Sequence, residues 1–196
     1  VFNPHPNAIA TSNYAVDLVN RASAMAGGPK VLVSSVVKPT LDTANVMYKH
    51  PDIKLLVCTG GPGVVKAVLS SGKRAIGAGA GNPPALVDET ANVRKAAQDI
   101  VNGCTFDNNL PCIAEKEIVC VDSVCDELMD DMINEQNCYL ASKEVQDRLI
   151  RTVMDEKGRL NRKCVGRSAK VLLSMVGVDV PDSIRCISMA LPISIR

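Results

Sequence analysis

Apolar positions along this 196-residue chain follow two rhythms: short aliphatic runs that read as strands, and stretches spaced three and four apart that read as helices. Pro4-His5-Pro6-Asn7 is a turn, and Asn7 is placed to cap a helix running to about Met25, with Ala10, Ala15, Val16, Val19 and Ala22 on one face. Ala26-Gly27-Gly28-Pro29 stops it. Lys30-Val31-Leu32-Val33 then reads as a short buried strand, and Thr40 or Asp42 opens a helix to about Lys49. Ile53 to Cys58 is a strand, Thr59-Gly60-Gly61-Pro62-Gly63 a tight loop, Val64 to Ser70 a helix and Arg74-Ala75-Ile76 a strand. Strand and helix alternating in this way predict an α/β protein with parallel sheets and flanking helices.

Ala78-Gly79-Ala80-Gly81-Asn82-Pro83-Pro84 is the sharpest shift in composition and reads as a domain crossing. Beyond it, Ala85-Leu86-Val87 is a strand, and Asp88-Glu89-Thr90 is placed to cap a helix from Ala91 to about Asn102. Val93, Ala96, Ala97, Ile100 and Val101 keep helical spacing in it. Phe106-Asp107-Asn108-Asn109-Leu110-Pro111-Cys112 is a turn-prone loop, in which Pro111 should push Leu110 towards extended geometry. Ile118 to Val121 is a strand, Asp122-Ser123 caps a helix to about Ile133, and Asn137 to Leu140 is a short strand. Helices follow at Ser142 to Met154 and Ser168 to Met175, the second stopped by Gly177. Ile184 to Ile187 and Leu191 to Ile195 are strand-like. Val1-Phe2 reads as the tail of a strand, so the chain is expected to be part of a longer protein.

Composition narrows the chemistry. Hydrophobic residues make up 46 % and aromatics only 3 %, so the core must be aliphatic. A net charge of +1 with both signs interspersed argues against a nucleic-acid partner, which needs a basic face. No apolar run approaches the roughly 20 residues of a membrane span. The eight cysteines form no CxxC pair and only His5 and His50 accompany them, so no metal site is expected. A chain this rich in aliphatic core needs no disulfide framework, and reduced thiols in a cytoplasmic compartment are the expectation.

Two stretches carry chemistry. Glycines in Thr59–Gly63, between a strand and a helix, let backbone N–H groups approach a phosphate. The stretch is neither a GxGxxG fingerprint nor a Walker A loop, and many such turns are glycine-rich only for packing. The second is Cys112, a thiol leaving a stiffened turn. On composition alone a buried structural cysteine is the commoner reading. A free thiol with a pKa of about 8.5 needs a cation, a base or a helix N-terminus to ionise. Lys116 is near, but Glu115 and Glu117 flank it, and no histidine is close in sequence. An aldehyde is electrophilic enough to be attacked with little such help, which favours aldehyde chemistry.

Thr59-Gly60-Gly61-Pro62-Gly63-Val64-Val65-Lys66-Ala67-Val68, then Ser71-Gly72-Lys73-Arg74-Ala75-Ile76-Gly77-Ala78-Gly79-Ala80-Gly81-Asn82-Pro83-Pro84, then Phe106 to Cys112 resemble the CoA-acylating aldehyde dehydrogenases, in particular those of ethanolamine and propanediol microcompartments. The resemblance runs from Val1 to about Val180. It implies residues 1–80 as the later part of a Rossmann-like nucleotide-binding domain and 81–196 as the catalytic domain. It implies Cys112 as the nucleophile that forms a thiohemiacetal with a short aldehyde, then a thioester after hydride loss to NAD, then an acyl-CoA by thiolysis. The Cys112 N–H would be one oxyanion donor; the family's second, an Asn side chain, would lie upstream of Val1. Thr59, Gly60, Gly61, Pro62, Gly63 and Gly79 would hold the cofactor. His5 sits where the superfamily places a residue near the adenosine ribose, or is simply a turn residue. Asn108 and Asn109 line the aldehyde pocket or merely shape the turn.

Hydrolytic relatives carry a Glu general base where Gly77 stands here, and its absence favours CoA over water as the acyl acceptor. The family's acidic segment before the last strand is absent, so residues are expected to be missing between Ile187 and Ala190. A homo-oligomer in the cytoplasm, with a microcompartment shell as partner, is implied by analogy. Two alternatives stay open: the aldehyde dehydrogenase half of a bifunctional alcohol/acetaldehyde dehydrogenase, and a truncated, non-catalytic scaffold.

Overall fold

The computed structural model describes residues 1–79 and 81–189; the predicted strand at 191–195 lies outside them. The chain divides into two compact units, 1–80 and 81–196. Each is α/β, and the strands pair in parallel.

In the first unit, α1 (Ile9–Met25) is followed by α2 (Leu41–Lys49), β1 (Leu55–Thr59), α3 (Pro62–Leu69) and β2 (Arg74–Ala78). β1 and β2 pair from Leu55↔Arg74 to Thr59↔Ala78, with α3 as the crossover. Thr40 caps α2 in a reciprocal capping box with Thr43. The cap of α1 differs from expectation. Residues 6–8 form a single 3-10 turn, and Ala8 precedes the helix without a side-chain bond. Asn7 is spent in that turn, where its N–H donates to His5 Nδ1.

The predicted strand at 30–33 is absent, because a side chain of α1 takes its backbone groups. The Asn20 side chain accepts from the Leu32 and Val33 amides (2.9 and 3.0 Å) and donates to the Val33 carbonyl (3.0 Å). It occupies the groups that a neighbouring strand would use. Val31 and Leu32 stay exposed, and pairing shifts along the chain to a parallel bridge between Phe2 and Ser35.

The second unit contains β3 (Pro84–Val87), α4 (Val93–Thr105), β4 (Glu117–Cys120), α5 (Asp122–Asp130), β5 (Cys138–Leu140), α6 (Lys143–Val153), α7 (Ala169–Met175) and β6 (Cys186–Ser188). β3 pairs with β4, and β5 with β6. α4 buries Val93, Ala97, Ile100 and Val101 on one stripe, packed with Val87, Leu128 and Met132. A second cluster joins α6 to α7 through Val145, Leu149 and Leu173. Ser142 and Ser168 cap α6 and α7 as their positions suggest. Two other caps were misplaced. Asn92, not Asp88–Thr90, caps α4, because Asp88 closes its own turn onto the Thr90 N–H and hydroxyl. α5 has Val121 before it and no side-chain cap, and it runs on into a π-helical turn at Asp131–Glu135.

Candidate active site

The segment after α4 makes an abrupt reversal. Thr105 ends the helix with its hydroxyl donating to the Val101 carbonyl (2.6 Å). Asp107, Asn108 and Asn109 then adopt left-handed backbone in succession, with φ of 48°, 51° and 60°. For most L-residues each such step costs about 1–2 kcal/mol, and Asn and Asp tolerate it best. Their side chains secure the turn. Asn109 Nδ2 donates to the carbonyls of Cys104 (2.8 Å) and Glu115 (2.9 Å), tying the two ends of the loop together. Asn108 Nδ2 donates to the Gly166 carbonyl (3.1 Å). Both amides are thus used in holding the loop. Leu110 is right-handed helical (φ −71°, ψ −40°) rather than extended, because its N–H closes the reversal onto Asp107 O.

Cys112 lies in the next turn, closed by the Ala114 N–H on the Pro111 carbonyl (3.2 Å), and its side chain is exposed. Its own N–H has no acceptor among the described residues. Lys116 Nζ donates to the carbonyls of Pro111 (3.1 Å) and Ala114 (2.9 Å), on either side of Cys112. Lys116 N–H in turn donates to Pro83 O (3.3 Å), which fastens the loop to the start of β3. Gly81 also belongs here, although the sequence did not single it out. A Cβ on Gly81 would overlap the Cys112 carbonyl oxygen, so only glycine lets these backbones approach. The signal in the sequence is the GNPP stretch before β3, which reads there as a domain crossing and as part of the family motif.

The other cysteines contrast with Cys112. Cys138 and Cys186 face each other across β5–β6 with their Sγ atoms 2.9 Å apart. A hydrogen bond to Cys186 and then burial push the Cys104 thiol up. Cys186 is favoured by its bond with Cys104, but its bond with Cys138 and its burial outweigh that and push it up to about 12. The same contact with Cys186 acts the other way on Cys138 and holds its thiol below the usual range.

In the first unit, the carboxyl ends of β1 and β2 bring six of the predicted residues together. Thr59 is in register with Ala78, Gly60 N–H donates to Ala78 O (3.1 Å), and Gly79 follows directly. Pro62 is the first residue of α3 and Gly61 precedes it. Gly60, Gly61 and Gly63 are not left-handed. A Cβ on Gly61, Gly63 or Gly79 would meet nothing within 4 Å. Neither backbone conformation nor packing among the described residues requires glycine at these three positions. Gly77 has a different reason, since a Cβ there would press on Val65 and Leu69 of α3. His5 is not joined to this turn by any hydrogen bond among the described residues; its Nδ1 caps the 3-10 turn instead. No group of three His, Cys, Asp or Glu side chains among the described residues could hold a metal ion, and no described helix is long and apolar enough to cross a membrane.

The aldehyde dehydrogenase family pattern matches residues 1–149, and the chain belongs to that family. It is 43 % identical over 197 residues to the acetylating acetaldehyde dehydrogenase EutE of Salmonella typhimurium strain LT2, covering 98 % of this chain and 42 % of that one. A propionaldehyde dehydrogenase from the fucose utilisation microcompartment of Clostridium phytofermentans is 63 % identical with a TM-score of 0.89, over 96 % of this chain and 43 % of that one. The Rhodopseudomonas palustris propionaldehyde dehydrogenase, solved with bound CoA and an acylated cysteine, is 50 % identical with a TM-score of 0.87, over 97 % and 44 %. The chain therefore spans about two fifths of the length of these relatives.

Proposed function

We propose that the protein oxidises a short aldehyde, acetaldehyde or propionaldehyde, to its CoA thioester with reduction of NAD, and that Cys112 carries the acyl group. The observation behind this is the exposed Cys112 thiol, whose amide N–H has no acceptor among the described residues, on a loop tied at both ends by Asn109. The Cys112 sulfur adds to the carbonyl carbon, and the oxygen that gains charge accepts a hydrogen bond from the Cys112 N–H. NAD, when bound, takes the hydride. The Thr59–Gly63 turn and Gly79 would receive its pyrophosphate, on the open glycine edge of β1 and β2. Loss of hydride and a proton leaves a thioester on Cys112. The CoA thiol attacks the thioester carbon, the Cys112–acyl bond breaks, and acyl-CoA leaves with the Cys112 thiol restored.

Residues 1–80 are on this reading part of a nucleotide-binding domain and 81–196 the catalytic domain. Asn108 and Asn109 shape the aldehyde pocket by fixing the loop. His5 keeps an exposed imidazole for the adenosine end while its Nδ1 caps the turn. The likeness to a microcompartment enzyme supports a cytoplasmic homo-oligomer associated with a microcompartment shell.

The test mixes the full-length protein with NAD⁺ and propionaldehyde, with and without CoA, and follows NADH. Sustained turnover only with CoA, and at most a burst without it, is expected. Sustained turnover without CoA would assign hydrolysis instead. Cys112→Ala should abolish turnover, and surviving activity would move the nucleophile elsewhere.

A further inference from the structure

We propose that Cys138 and Cys186 are a disulfide-forming pair, a modification site on β5 and β6 that a hydroperoxide oxidises and a thiol reductant reopens. The pair takes no part in the Cys112 chemistry, so the inference stands whether or not Cys112 carries the acyl group.

The register of the two parallel strands sets Cys138 opposite Cys186. The ladder is bonded on both sides of the pair, by the Arg185 N–H on the Asn137 carbonyl (3.0 Å) and the Ala141 N–H on the Ser188 carbonyl (2.9 Å). Neighbouring strands run about 4.7–4.9 Å apart, inside the roughly 4.4–6.8 Å between Cα atoms that a disulfide spans. The two thiols also point at each other, with their Sγ atoms 2.9 Å apart. A bond of about 2.05 Å needs the sulfurs to close by roughly 0.9 Å, on a backbone spacing that already fits. Bond formation would fasten β6 to β5.

The two sulfurs have different parts. A hydrogen bond from Cys186 and, less strongly, the Arg185 guanidinium hold the Cys138 thiol below its usual range against its burial. Arg185 is itself fixed, donating to Asn102 Oδ1 (2.7 Å), Thr105 Oγ1 (3.3 Å) and Gln136 Oε1 (3.3 Å). Cys138 is therefore the thiol that attacks. Its sulfur takes one peroxide oxygen, the O–O bond breaks, and a sulfenic acid and one water result. The Cys186 sulfur then attacks the Cys138 sulfur, the S–O bond breaks, and a second water leaves with the second thiol proton. The thiols lose two electrons and two protons, and the peroxide is reduced to two waters. Cys138 is buried and Cys186 only half-buried, so the pair admits a small oxidant. Cys104, whose thiol also bonds Cys186, is the competing partner. In a reducing compartment such a bond is transient.

The experiment treats the full-length Cys112→Ala protein, which lacks the exposed thiol, with hydrogen peroxide at neutral pH. The oxidant is removed, the chain is unfolded in iodoacetamide, and its peptides are mapped without reduction. Cys138 and Cys186 should lose alkylation together, appear as one cross-linked peptide pair within a single chain, and recover both thiols in dithiothreitol. Cys164 is buried too, but only the Thr152 carbonyl and the Met175 sulfur lie in reach of its thiol among the described residues, and it should keep its alkylation. Cys186→Ser should abolish the cross-link. Retention of both thiols after peroxide, a Cys104–Cys186 link in place of the expected one, or equal linking in chain unfolded before treatment would each overturn the proposal.

Discussion

Gly81→Ala isolates the backbone approach that seats Cys112. A Cβ at 81 would overlap the Cys112 carbonyl oxygen, and restoring an ordinary carbon–oxygen contact of about 3.3–3.6 Å requires a retreat of roughly 1 Å. The obstacle is backbone, so no rotamer change relieves it. One side must move: the strand entry at Gly81-Asn82-Pro83, which Lys116 N–H binds through Pro83 O, or the turn at 111–114. Either movement strains or breaks a hydrogen bond worth about 1 kcal/mol net. Overpacking of this kind costs about 1–3 kcal/mol in total. The functional effect should exceed the effect on stability, because a misplacement of about 1 Å at a reacting atom can slow a step on the order of 10²-fold.

The assay pairs urea unfolding followed by circular dichroism with the NADH burst at the first turnover. Gly81→Ala should lose about 2 kcal/mol and acylate on the order of 10²-fold more slowly. Gly79→Ala, which meets open space, is the stability control and should unfold with the parent. A Gly81→Ala protein that matches the parent in both unfolding and burst rate would refute the close approach as the reason for glycine.

Gly63→Ala lies in the first turn of α3 with open space around its Cβ, so the helix should gain up to about 1 kcal/mol while NAD affinity falls; calorimetric titration with NAD checks the pair of effects. Asn109→Ala loses two loop-closing bonds and leaves a left-handed alanine, for a cost of about 2–4 kcal/mol, whereas Asn109→Gly keeps the backbone and should cost about 1–2 kcal/mol less than Ala; unfolding of both variants tests this. Leu173→Ala, at a fully buried position between α6 and α7, should cost about 3–5 kcal/mol by the same measurement. The Asp155 carboxylate is held below its usual range by hydrogen bonds from the Arg159 backbone, the Arg159 side chain and the Lys157 backbone. Its contribution to stability is therefore complete above the unfolded carboxyl range near about 4, and is lost as pH falls through the lower folded value; carboxyl NMR titration of Asp155 reads that midpoint directly.

Period and capping made most of the helices legible. Thr40, Ser142 and Ser168 each stand directly before an apolar-periodic run, and each side-chain oxygen accepts from an N–H inside its helix. The same rule failed before α4 because two capping residues compete there. Asp88 and Asn92 are both suitable, and the nearer Thr90 claims Asp88. The strand misread at 30–33 had a proper aliphatic run. What cancelled it was Asn20 on a separate helix, a partner that no local window contains.

The candidate site divides along the same line. Cys112 could be picked out because its chemistry is carried by one residue type and its neighbours form a motif. The shape of its loop could not. Pro111 predicts an extended Leu110, yet three left-handed residues upstream bring the Leu110 N–H back to Asp107 O and make the helical conformation the one that closes a bond. The charge pattern is silent on side-chain direction for a related reason. Glu115-Lys116-Glu117 reads as self-cancelling only while the side chains are assumed to share one environment. Glu115 turns to Gly103 and Glu117 to Asn82, and Lys116 is left with the carbonyls around the thiol. Gly81 was overlooked because its neighbour in space, the Cys112 carbonyl, is brought in by β3–β4 pairing rather than by the chain beside it. Motif spacing picks out a thiol, but the groups that brace its loop are chosen by strand pairing and loop reversal.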